Sequence, residues 1–118
     1  MTKKFVTINC RVLYDDIVDF HKIKLLNPKA RKSVIINESI LEYLQNNSNL
    51  LDIKTNRDEL KLHRKFYIHK PQLEVLHSVI KVTDHSIALL IRESFRYGVD
   101  KLRKEFPNYK YLKYEVMI

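Results

Sequence analysis

At 118 residues, with 45% hydrophobic and 31% charged side chains, the chain is sized for one compact soluble domain and has no apolar run near the ~18 residues of a membrane span. One cysteine excludes an intrachain disulfide and a cysteine-based zinc site, and one glycine excludes a glycine-rich phosphate loop. The net charge of +8 is shared, nine Lys/Arg against six Asp/Glu (+3) in residues 1–55 and thirteen against eight (+5) in 56–118, and favours an acidic partner, nucleic acid first.

Residues 5–12 alternate: Val6, Ile8, Cys10 and Val12 on one face, Phe5, Thr7, Asn9 and Arg11 on the other. This period of two predicts a half-buried strand, with Cys10 a small buried hydrophobe rather than a reactive thiol. Tyr14-Asp15-Asp16 opens a helix with acidic residues at its positive dipole end, and Ile17, Val18, Phe20, His21 and Leu25 continue at helical spacing until Asn27-Pro28. A second helix is predicted from Arg31–Ser33, its stripe Val34, Ile36, Ile40, Tyr43 and Leu44, ended by the asparagines of 46–49.

Residues 50–62 read as a connection, with Leu50, Leu51 and Ile53 able to pack on the core and a turn at 56–59. Residues 62–69 alternate again, Leu62, Arg64, Phe66 and Ile68 against His63, Lys65, Tyr67 and His69. Pro71 suits a first helical turn, and Leu73, Leu76, Val79 and Ile80 give the stripe behind it. Residues 83–86 form a turn in which Asp84 and Thr83 are the expected N-caps. The last long helix runs from about Ser86 towards Glu105, lined by Ile87, Leu90, Ile91, Phe95, Val99 and Leu102, with Gly98 a weak point worth ~1 kcal/mol against Ala. Pro107 ends it, before a tail with three tyrosines and an apolar end.

The chain therefore repeats one strand and two helices. The second helices align at an offset of 55, Ile36-Asn-Glu-Ser-Ile40 with Ile91-Arg-Glu-Ser-Phe95, and the strands at 58. Each half alone is too small for a sizeable core, so the halves should share one. The expected division is 1–49, a connection at 50–62, and 63–118 with its tail, within one compact domain.

Strand, helix, turn and helix, with Thr7, Asn9 and Arg11 alternating on the strand, resembles the ribbon-helix-helix superfamily (MetJ/Arc/CopG), over about residues 5–46 and 63–105. Ile36-Asn-Glu-Ser-Ile-Leu-Glu-Tyr-Leu44 is similar to that family's second helix. The resemblance implies a mainly α fold with a two-stranded antiparallel β-ribbon that enters the DNA major groove. It implies base reading by Thr7, Asn9 and Arg11 and, in the second half, by Lys65, Tyr67 and His69. The chain departs from the pattern in lacking a turn glycine between the helices of either half, in carrying Lys70 before Pro71, and in holding both copies. The last feature resembles tandem ribbon-helix-helix regulators of archaeal viruses, and implies an intramolecular pseudodimer.

The chemistry suits that role. Arg11 can donate twice to guanine, Asn9 can pair with adenine, Thr7 can meet a thymine methyl, Lys65 suits guanine or phosphate, and Tyr67 and His69 can hydrogen-bond or pack on methyl groups. The N-termini of the second helices offer phosphate clamps, with Arg31, Lys32 and Ser33 in the first half and His85 and Ser86 in the second, joined by Lys3 and Lys4 before the first strand. His21, His63, His69, His77 and His85 lack the spacing of common zinc sites. No base or metal ligand is placed by the sequence beside Tyr109, Tyr111 or Tyr114, so no enzyme, cofactor, metal or small-molecule substrate is expected.

The expectation is a cytoplasmic transcription regulator (host cytoplasm if viral), a repressor or an activator, that reads double-stranded promoter or operator DNA, blocks or recruits polymerase by its position there, can self-associate on it, and does not engage a membrane. Two unlike triplets predict that one chain prefers a non-palindromic site, or reads one side strongly and the other weakly, and that a symmetric operator requires two whole chains. The first rival expectation is a protein-interaction module, antitoxin-like or a viral inhibitor, that uses the helices and tail; the second, with little support in the sequence, is a small nuclease or nicking enzyme that uses a tail tyrosine.

Overall fold

The computed structural model describes residues 4–46, 53 and 59–114. The expectations for Lys3, for residues 47–52 including Leu50 and Leu51, for most of the turn at 56–59, and for the apolar end of the tail at 115–118 lie outside the described residues.

The alternating segments form strands β1 (Phe5–Leu13) and β2 (Lys61–His69), which pair antiparallel into one two-stranded sheet. Neither strand needs a loop before its helix. β1 runs into α1 (Tyr14–Leu26) and β2 into α3 (Lys70–Val82), each through a last strand residue with extended backbone. The two corners are closed alike: the Tyr14 amide donates to the Leu60 carbonyl at 2.9 Å, and the Lys70 amide to the Lys4 carbonyl at 3.2 Å. Asp15 and Asp16 lie in the first turn of α1, where the helix dipole favours them, and Pro71 lies in that of α3, where its missing N–H costs nothing.

The second helix of each half is the longer one, α2 (Lys32–Asn46) and α4 (Ile87–Glu105). Each packs mainly across the molecule: α2 on β2, α3 and α4, and α4 on β1 and α1. The shared core holds Cys10 and Val12 from β1, Phe66 and Ile68 from β2, and Ile17, Phe20, Ile36, Ile40, Leu76, Leu90, Ile91, Phe95 and Val99 from the helices. Phe95 joins its parts, with ring centroids 5.4 Å from Phe66 and 6.0 Å from Phe20. The fold is thus mainly helical, on one antiparallel ribbon.

Two local expectations are corrected. The cap of α4 is Ser86, whose Oγ accepts the Leu89 amide at 3.1 Å, rather than Asp84 or Thr83. Thr83 is engaged at the end of the preceding helix, where its hydroxyl donates to the Val79 carbonyl at 2.8 Å. Gly98 does not interrupt α4, which is continuous through it. It marks the crossing with α2: a Cβ at this position would collide with Ser39 Oγ and come within 2.7 Å of Ile35 Cγ2. After α4, Pro107–Tyr111 forms a short 3-10 helix against α1 and α4, and Tyr114 stacks on His21 at 5.0 Å.

Candidate nucleic-acid interface

Most of the inner face of the ribbon is spent on the core, with Cys10, Val12, Leu62, Phe66 and Ile68 buried, while Val6, on the same face near the end of the ribbon, is left 39% exposed. Its outer face carries Phe5, Thr7, Asn9 and Arg11 from β1 and His63, Lys65, Tyr67 and His69 from β2, all eight exposed. The six residues expected to read bases therefore share one solvent-facing surface.

The pairing is staggered from a simple opposition of the two triplets. Thr7 stands opposite Tyr67 and Asn9 opposite Lys65, but Arg11 stands opposite His63, and His69 opposite Phe5. The ladder of nine pairs is centred on Asn9 and Lys65, and the adjacent pair, Ile8 and Phe66, joins two residues related by the strand offset of 58. One end of the surface consequently gathers Asn9, Arg11, His63 and Lys65, and the other Phe5, Thr7, Tyr67 and His69. Phe5 and His63 were legible as outward-facing from the alternation, but only the register shows which residues they accompany.

Contacts within the face define both ends. Arg11 Nε donates to His63 Nε2 at 3.0 Å, across the ribbon. The rings of Phe5 and Tyr67 meet edge to face, 5.2 Å apart at 88°. Beneath the face, helices hold the strand backbones. Arg92 Nε in α4 donates to the Arg11 carbonyl at 2.9 Å. The buried Asn37 in α2 donates to the Tyr67 carbonyl at 2.8 Å and accepts the His69 amide at 2.9 Å. A surface fixed in this way loses little conformational entropy on meeting a ligand.

The expected phosphate contacts are placed unevenly. Arg31 and Lys4 are exposed, and Ser33 is partly so. Lys32 turns inward: its ammonium lies 5.0 Å from the centre of the Phe66 ring, and burial, with Arg64 nearby, pushes its pKa down. Ser86 already caps α4 through its oxygen, and the His85 amide is 3.4 Å from Thr83 Oγ1. Arg31 at the start of α2 is thus better presented than the cluster at the start of α4.

Elsewhere, Leu13, Asp16, Asp19, Leu60, Arg96 and Arg103 help to line a cleft of about 440 Å³, much of its wall committed to structure. Arg103 donates to Asp16 and Asp19 of α1 and to Asp100 of its own helix. Among the described residues no group of three or more His, Cys, Asp or Glu side chains is arranged to hold a metal ion, and no helix is long and apolar enough to cross a membrane. The chain matches no protein-family model, no curated protein and no solved structure.

Proposed function

We propose that this protein is a sequence-specific double-stranded DNA-binding transcription regulator of ribbon-helix-helix type, its two halves forming a pseudodimer within one chain. The observation that carries the proposal is the exposed outer face of the ribbon, eight side chains rich in donors, cations and aromatic rings, on a backbone pinned from below by Asn37 and Arg92. The packing of α2 on β2 and of α4 on β1, and the pairing of the repeat-related Ile8 and Phe66 across the ribbon, support the pseudodimer.

An antiparallel ribbon fits the major groove, where each base pair presents a distinct pattern of donors, acceptors and methyl groups. In this reading Thr7, Asn9, Arg11, Lys65, Tyr67 and His69 meet base edges. Arg31, Ser33 and Lys4 hold phosphates and set the register on the duplex without reading it. A good bidentate contact from Arg11 or Asn9 contributes about 1–3 kcal/mol of discrimination. The protein acts by occupying promoter DNA, where it blocks or recruits polymerase by position without chemistry of its own, and a second chain can bind alongside. The rival reading, a protein-interaction module, draws on the exposed Val82 beside the groove between α2 and α3 and on the exposed Tyr111.

Selection from random duplexes at two salt concentrations separates the two. The regulator reading expects a short enriched motif that Asn9→Ala/Arg11→Ala loses. Salt-sensitive binding without a motif, unchanged in the double variant, means that charge alone coats DNA. The ribbon assignment then fails and the interaction module leads.

A further inference from the structure

We infer that the ribbon reads DNA with a direction: Arg11, oriented by His63, takes guanine at one end, and the Phe5–Tyr67 pair takes thymine methyl groups at the other. One chain then binds an asymmetric duplex in a single orientation. The inference rests on the DNA-reading role proposed above and assigns the bases that each end of the surface recognises.

At the first end, a guanidinium carries five N–H donors in a rigid fork. Arg11 Nε is used on His63 Nε2 at 3.0 Å, and Arg92 holds the Arg11 carbonyl from below at 2.9 Å. The four N–H groups on Nη1 and Nη2 remain, and their parallel pair matches the O6 and N7 acceptors of guanine. His63 thereby acts as a positioning residue, setting the plane of the fork before DNA arrives. Lys65, two positions along the same strand, adds positive charge on this side, and Asn9 stands opposite it.

At the second end the chemistry changes. Phe5 is 40% and Tyr67 42% exposed, large apolar surfaces left in water although a core is available on the opposite face of the same sheet. Their edge-to-face packing holds both rings outward. In the major groove the apolar feature of a base pair is the thymine methyl, the contact a Phe side chain makes there. Phe5 and Arg11 are six residues apart on one strand, about 20 Å, so the two ends reach different base pairs.

The test repeats the duplex selection with the full chain as wild type, His63→Ala, His63→Gln and Phe5→Ala, with a thermal melt of each to verify folding. The expected wild-type motif is non-palindromic, guanine on one side and thymine on the other. His63→Ala lowers guanine preference at its position about tenfold while the thymine side persists. His63→Gln, which keeps an acceptor for Arg11 Nε, restores it in large part. Phe5→Ala erodes the thymine side alone. A palindromic motif bound by a single chain per duplex, with the stoichiometry read by native mass spectrometry, or His63→Ala and Phe5→Ala each weakening every position equally, overturns the directional reading and leaves the DNA-reading role standing. A wild type that selects no motif overturns both.

Discussion

Asn37 and Arg92 occupy matching positions in the second helices of the two halves, 55 residues apart, and each reaches the backbone of the strand in the opposite half. Asn37 bridges the Tyr67 carbonyl and the His69 amide, and Arg92 donates to the Arg11 carbonyl. One residue is neutral and buried and the other charged and partly exposed, yet both fix an end of the ribbon. The polar face of a two-stranded sheet, which alone is at best marginally stable in water, is thereby held to the helical core.

Replacing Asn37 tests this bracing. Its amide also donates to the Ser33 carbonyl at 2.7 Å, so Asn37→Ala removes three hydrogen bonds and leaves Tyr67 and His69 backbone groups without these partners. The expected loss is about 2 kcal/mol of stability in urea unfolding. Faster amide exchange at His69 than at the centre of the ribbon would locate the effect, and exchange unchanged there would refute it.

Gly98→Ala should destabilise although alanine is the better helix former. The gain of ~1 kcal/mol in propensity is outweighed by a Cβ driven against Ser39 and Ile35, an overpacking cost of about 1–3 kcal/mol. Ser39→Gly introduced beside it should recover part of the loss. A melting temperature raised by Gly98→Ala alone would contradict the close crossing of α2 and α4.

Cys10 should be inert in the folded protein. It is 3% exposed, and burial pushes its thiol up to about 11, against the opposing pull of Arg92 and Lys32. At pH 8 almost none of it is thiolate, the reactive form. Iodoacetamide should therefore modify it only after unfolding, at a rate that follows denaturant concentration. Rapid alkylation under native conditions, followed by mass spectrometry, would place the thiol at the surface.

The ion pairs of Arg103 and of Lys101 should differ sharply in worth. Arg103 is held between Asp16, whose side chain is 3% exposed, and Asp19 and Asp100. Arg103→Ala leaves the Asp16 carboxylate buried without its cation and should cost about 3 kcal/mol. The Lys101–Glu42 pair is as short as the shortest of these, at 2.6 Å, but about half exposed on both sides, and Lys101→Ala should cost less than about 1 kcal/mol. Equal losses in chemical denaturation would mean that burial does not separate them.

The chain alone determined the elements and their faces. Strict alternation in residues 5–12 and 62–69 marked both strands and the outward set from Phe5 to His69, because strand side chains point to opposite faces in turn. Helical spacing behind each strand, with Pro28, Pro71 and Pro107 as punctuation, marked the helices, because a proline ring restricts where a helix can run. Tertiary structure decided what depends on residues far apart in sequence. The opposition of Arg11 to His63 and of Phe5 to His69 is a matter of register, which periodicity leaves open, since any shift that preserves both faces satisfies the same pattern. The turning inward of Lys32 over Phe66 and the need for glycine at 98 arise where helix meets strand and helix meets helix. The packing of α2 on β2 and of α4 on β1 joins residues far apart in the chain into one core, which local periodicity does not dictate.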